Sequence, residues 1–142
     1  LAKQVGVDHV LNAHTDGADA IAAAILEITH GEGVDASLEM SGHPTALHHA
    51  FRAVKNGGRV TLCGIPTGPV TCDLANEVIF KGIRVHGITG RRLFSTWYRL
   101  AGLFKAGLNL RPVLTHTFPL KDFAQGFELI KSGQCGKVVL FP

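Results

Sequence analysis

The chain has 142 residues, 46% of them apolar and 18% charged, a balance that gives a globular domain with a real core and argues against a disordered chain. The formal net charge of +3 is too small and too scattered for a nucleic-acid-binding face, and its one dense spot, Arg91-Arg92, reads as solvated surface. Cys63, Cys72 and Cys135 make an odd count with no CxxC spacing; this argues against a disulfide framework and fits a reducing, cytoplasmic compartment.

Taken in chain order, residues 1–7 read as the last turn of a helix closed by Gly6. A chain that opens at a leucine inside such a turn is expected to be part of a longer polypeptide. Residues 8–13, DHVLNA, read as a short strand. Over residues 16–30, Ile21, Ala24, Ile25 and Ile28 fall at helical spacing, with Thr15 or Asp16 as the cap and Gly31 beyond the end. Its apolar run, ADAIAAAILEI, is too short to cross a bilayer and carries Glu27. VDASLEM, residues 34–40, is the next strand, closed by Ser41-Gly42. Residues 43–55 place Ala46, Leu47, Ala50, Phe51 and Val54 on one helical face, and Asn56-Gly57-Gly58 tolerates the positive φ that ends a helix. Residues 59–63 form a further strand.

Past Pro66 the character changes. Residues 73–81 suggest a short helix leading into strand 83–88, IRVHGI. Leu93, Trp97, Leu100, Ala101 and Phe104 mark an amphipathic helix over residues 93–105. Residues 112–117 read as a strand, and residues 121–132 as a helix with Phe123, Phe127 and Ile130 inward. GKVVLF, residues 136–141, is the last strand. Strands alternating with helices through short connections predict an α/β fold with a parallel sheet.

In open parallel sheets ligands lie beyond the carboxyl ends of the strands. Three strands here run into a glycine within two residues: Met40-Ser41-Gly42, Cys63-Gly64-Ile65 and Ile88-Thr89-Gly90. A glycine there lets a flat ligand approach main-chain groups with no Cβ in the way; the plainer alternative is that it only turns the chain. The phosphate-cradling G-x-G-x-x-G is absent, so these residues supply only part of any nucleotide site. Of the eight histidines, His43, His48 and His49 cluster, but their spacing sends them to different helix faces, unlike the i, i+4 pair of a zinc site. His86 reads as an outward strand residue. Cys63 reads as a buried thiol with no basic neighbour evident to activate it. Lys137 could meet a phosphate or simply guard an edge strand.

Four segments, VDASLEMSG, GGRVTLCGIP, VIFKGIRVHGITGRRLFSTWY and the ending FELIKSGQCGKVVLF, together resemble the zinc-dependent medium-chain dehydrogenase/reductases, in particular the branch that acts on L-threonine. The likeness covers essentially the whole chain but only the latter part of the family's length. It implies an incomplete doubly wound, Rossmann-type parallel sheet over residues 1–108, with residues 109–142 returning to a second, catalytic domain. It implies NAD as cofactor, a catalytic zinc whose ligands lie outside this chain, and oxidation of the 3-hydroxyl of the small-molecule substrate L-threonine. In the family the segments like Cys63-Gly64-Ile65 and Ile88-Thr89 line the nicotinamide side of the cofactor; with Ser41 and Gly42 they form the candidate cofactor site. The family usually has leucine where Cys63 stands and often an aromatic where Thr89 stands. No residue is assigned as catalytic base or metal ligand, and this chain alone is expected to be inactive.

In the doubly wound order 3-2-1-4-5-6, residues 8–13 would be strand 3 without its sheet neighbour. With the catalytic domain absent, Phe123, Phe127 and Val138 would be exposed, and the isolated chain is expected to be marginally stable. Strand 83–88 would be an edge that pairs across a two-fold axis, giving a homo-oligomer, a tetramer in expectation. Two alternatives remain: another polyol or alcohol dehydrogenase of the same family, or a non-catalytic domain that binds a nucleotide or a protein.

Overall fold

The protein is described by a computed structural model covering residues 1–13 and 17–142. The chain divides into two units, residues 11–90 and residues 1–10 with 91–142.

In the unit of residues 11–90, three parallel strands stand in the order β1-β2-β3: β1 is Val34–Glu39, β2 is Val54–Leu62 and β3 is Arg84–Gly87. Helix α1, Ala18–Ile28, follows Gly17, whose positive φ of 72° suits a residue without Cβ. The expected cap at Thr15 or Asp16 lies outside the described residues. Helix α2, Pro44–Ala53, packs against α1, β1 and β2. Its start follows from sequence chemistry: His43 caps it, Nδ1 accepting the Thr45 N–H at 3.3 Å, and Pro44 needs no hydrogen bond in the first turn. A single π-helical turn, Ala75–Ile79, precedes β3. The core is Ala50, Phe51, Val54, Val60 and Ile83, with Val34, Leu47, Leu62, Cys72 and Val78 packed around it. Burial and Glu77 together push the Cys72 thiol above its ordinary range.

Two expectations are corrected. The segment 8–13 forms no strand; it has no ladder partner among the described residues, and a strand exists only by exchanging hydrogen bonds with a neighbour. The glycines at 57 and 58 do not end α2. The helix stops at Ala53, and Val54 enters β2 directly with φ −76° and ψ 139°. Burial explains the shift: Val54, only 1% exposed, belongs to the core and pairs with Val34. The next rung joins Ala36 to Arg59, so residues 55–58 bulge between the rungs. Gly57 takes the turn at φ 73°, and a Cβ on Gly58 would lie 2.6 Å from the Val54 side chain.

Without a glycine cap, the last turn of α2 takes a distant partner. Lys81 Nζ donates to the Phe51 carbonyl at 2.7 Å and the Arg52 carbonyl at 3.1 Å. A cation there also meets the negative end of the helix dipole. Burial lowers the Lys81 ammonium below its usual range, with Glu77 opposing.

The other unit opens with a 3₁₀ turn, Ala2–Val5, closed by Gly6 at φ 91°. It continues through helix α3, Ser95–Lys105, strand β4, Leu114–Pro119, helix α4, Phe123–Lys131, and strand β5, Lys137–Phe141. Strands β4 and β5 pair in parallel. Helix α4 rests on them through Gly126, where an added Cβ would lie 3.3 Å from Val138. The inward assignment of Phe123, Phe127 and Ile130 is therefore corrected: the Gly126 face packs, and these three are about half exposed at 52%, 56% and 51%. A glycine seam brings helix and sheet closer than phenylalanines would permit. The exposure of Phe123 and Phe127 matches what the family resemblance implied, whereas Val138 is half-buried.

Lys81→Met removes both hydrogen bonds to the end of α2. It is expected to cost about 2 kcal/mol in urea unfolding and to speed amide exchange in the last turn of α2.

Candidate cofactor-binding rim

The register aligns the strand ends. Glu39 of β1 pairs with Leu62 of β2, and Leu62 with Gly87 of β3. Because the strands are parallel, the three glycine-bearing exits leave the same edge of one sheet. Hydrogen bonding continues past the strands: the Cys63 and Gly64 N–H groups donate to the Glu39 carbonyl at 2.8 and 3.1 Å, and Ile88 N–H donates to the Leu62 carbonyl at 2.9 Å. Residues 40–42, 63–65 and 88–90 thus form one continuous rim.

The Glu39 side chain, 4% exposed, folds under the first exit. Its Oε1 accepts from Ser41 N–H at 2.8 Å, Ser41 Oγ–H at 2.6 Å and Gly42 N–H at 3.0 Å; Oε2 lies 3.1 Å from the same Gly42 nitrogen. Burial alone would push this carboxyl upward. The Ser41 hydroxyl and the Ser41 and Gly42 N–H groups outweigh it, with His43 adding a little, and hold the group below the ordinary glutamate value of 4.5.

Two glycines allow this arrangement. Gly42 has φ 73°, and a Cβ there would lie 2.5 Å from the Ile65 carbonyl oxygen. A Cβ on Gly64 would collide with the Gly42 nitrogen and lie 2.5 Å from Glu39 Oε2. The space freed at both positions is used by the first two exits against each other. Gly90 differs: its φ is 63° and the Cβ direction is open.

The candidate residues take distinct positions on this rim. Ile65 is 84% exposed and Ile88 54% exposed, so two apolar side chains stand uncovered at neighbouring strand ends. Thr89 is exposed and Cys63 is half-buried. Ser41 borders a cleft of about 350 Å³ that it shares with Glu39, Met40, Ala46, His49 and Ala50. The clustered histidines diverge as their spacing predicts: His43 caps α2, His48 Nδ1 lies 2.9 Å from Glu77 Oε1, and His49 faces the cleft. Among the described residues no group of three or more His, Cys, Asp or Glu could hold a metal ion. Lys137 is exposed at the start of β5, beside an apolar cleft lined by Phe104, Leu108 and Leu114. Sequence reasoning passed over Glu39. The available signal was a carboxylate at the last position of a strand shortly before Ser-Gly.

A parallel α/β sheet whose strand exits meet on one edge defines a Rossmann-type domain. Residues 1–106 match the family model described as zinc-binding dehydrogenase, and the chain belongs to that family. It is 49% identical to the L-threonine 3-dehydrogenase of Bacillus licheniformis over 119 residues, 83% of this chain and 34% of that protein. It is 47% identical to the L-threonine 3-dehydrogenase of Bacillus velezensis over 143 residues, 100% of this chain and 40% of that protein. The crystal structure of an alcohol dehydrogenase from Thermotoga maritima superposes with a TM-score of 0.88 at 28% identity, covering 99% of this chain and 39% of that one. The chain therefore spans well under half the length of these relatives.

Two variants probe the rim's construction. Gly64→Ala forces a Cβ into Gly42 and is expected to destabilise the protein by about 3 kcal/mol, read by urea unfolding. The depressed Glu39 pKa makes the folded state bind fewer protons than the unfolded one, so its contribution is present above the ordinary glutamate value and is lost as pH falls through the folded value. The stability gap between the wild type and Glu39→Gln is thus expected to be steady near about pH 6 and to close toward about pH 3. A gap of equal size at both ends of that range would mean that the site does not select the charged carboxylate.

Proposed function

We propose that this chain forms the nicotinamide side of the cofactor site in an NAD-dependent dehydrogenase that oxidises the 3-hydroxyl of L-threonine. One observation carries the reading: hydrogen bonds join the ends of three parallel strands into a single rim, in a chain nearly half identical to proteins named L-threonine 3-dehydrogenase. The rim suits a flat, half-polar ring. Ile65 and Ile88 offer apolar surface, the main chain of Cys63, Ile88 and Thr89 offers polar groups to a carboxamide or ribose, and Ser41 and Gly42 border the first exit. Gly90 leaves the approach beside Thr89 open.

Oxidation of L-threonine at C3 gives 2-amino-3-oxobutanoate; the hydroxyl proton and a hydride from C3 leave the substrate. NAD, when bound, supplies the two-electron acceptor for that hydride. The residues of this chain orient the acceptor face and keep water from one side of it. The family resemblance assigns none of them as an acid or base that touches the substrate. The described residues also do not make up a zinc site, so the family's zinc would take its ligands elsewhere.

The same reading assigns residues 1–108 to the cofactor domain and residues 109–142 to elements returning to a catalytic domain. It makes the protein a cytoplasmic homo-oligomer, a tetramer, paired through edge strand 83–88. β3 stands at the sheet edge, all four of its residues are exposed, and only Arg84 and His86 guard it. The likeness to a solved alcohol dehydrogenase favours a second reading, in which a simple alcohol or polyol is the substrate.

The test is NADH production at 340 nm by the full-length enzyme that contains this chain, with L-threonine against sorbitol and 2,3-butanediol, and with the mass in solution measured by light scattering. Turnover with L-threonine in preference to both alcohols and a mass of four chains are expected. Preference for either alcohol would replace the substrate assignment, and a mass of one chain would remove the edge-strand pairing.

A further inference from the structure

Glu39 stands apart from the other acidic residues of the chain. It lies at the last position of β1, it is buried, and among the described residues its carboxylate pairs with N–H groups and a hydroxyl and with no lysine or arginine. Its partners are the N–H groups and hydroxyl of the first exit, while its own carbonyl holds the two N–H groups of the second. Oε2 also fills the space directly behind Gly64. One residue therefore sets the position of Ser41, Gly42, Cys63 and Gly64 relative to one another. The main-chain donors and acceptors of the rim can meet a flat ligand only if those four residues keep their spacing.

We infer that Glu39 is a positioning residue for the nicotinamide cofactor, acting through the two exits it joins and without touching the cofactor itself. The inference rests on the proposed NAD site and adds to it the group that builds its geometry. The carboxylate form is required, for a stated chemical reason. Every hydrogen-bond partner of the two oxygens is a donor, so an acceptor-only group satisfies all of them. An amide of the same shape presents an NH₂ to one of those donors, and the first exit must move to relieve that opposition. A shorter carboxylate keeps the acceptors but draws them back by one methylene, so it can serve Ser41 and Gly42 only partly.

The experiment measures NADH binding by fluorescence titration in the full-length enzyme that contains this chain, as wild type, Glu39→Gln, Glu39→Asp and Val60→Ala. The last is a core change that removes volume from β2 and touches none of the rim. Amide hydrogen exchange without cofactor, followed at residues 41–42 and 63–64, accompanies the titrations. Glu39→Gln is expected to weaken NADH binding about tenfold and raise KM for NAD more than it lowers kcat. It should also speed exchange at both exits. Glu39→Asp should fall between Glu39→Gln and wild type, and it decides the matter with the same readouts if Glu39→Gln does not fold. Val60→Ala should lower the melting temperature yet leave NADH affinity and exit exchange within about twofold of wild type. Unchanged affinity in both Glu39 variants, or equal weakening in Val60→Ala, overturns the inference and leaves the proposed function standing. Failure of the wild type itself to bind NADH overturns both.

Discussion

A buried carboxylate at the end of a strand is costly unless donors surround it. Glu39 meets that condition with three donors, all drawn from Ser41 and Gly42 of the first exit. The rest of the rim follows from this local solution. Once Ser41 and Gly42 are folded back over the carboxylate, the first exit lies against the second, and only glycine fits at positions 42 and 64. The ladder bonds from Cys63, Gly64 and Ile88 then carry the same alignment across to the third exit.

This changes the meaning of the glycines. A glycine at a strand end is easily taken as a gap left for a ligand. At positions 42 and 64 the gap is filled by the neighbouring exit, whereas at Gly90 it faces open space. What the rim offers a ligand is the product of that packing: two exposed isoleucines and the main chain between them. The glycines act at one remove, by letting the first two exits pack against each other.

The unit of residues 11–90 holds a small core with Val60 at its centre and closes its main helix through Lys81, roughly thirty residues along the chain from the carbonyls it serves. In the other unit, α3 buries no residue and α4 turns two phenylalanines outward, their rings edge to face at 6.3 Å. Arg91 lies over the Trp97 ring at 5.5 Å, so a cation covers part of an aromatic surface that packing leaves open. Phe94, just before α3, holds φ 66°, a conformation unfavourable for a side chain of its size. A chain with this much apolar surface on its helices is built to be covered, in keeping with relatives more than twice its length.

The sequence by itself determined the alternation of strands and helices, the parallel arrangement, the three exits and the divergence of the clustered histidines. These depend on side-chain period and on residues close in sequence, as with His43 and Pro44 at the start of α2. Tertiary structure decided what depends on partners far along the chain. Residues 8–13 have the composition of a strand but, among the described residues, no neighbour to pair with. Val54 left its helix because the core and Val34 claimed it, which moved the start of β2 ahead of the glycines. Lys81 replaced a local cap. Glu39 looked like one more polar residue of a strand until the turn after it brought three donors to its oxygens. Periodicity registers which face a residue occupies; it does not register which backbone groups will be waiting there.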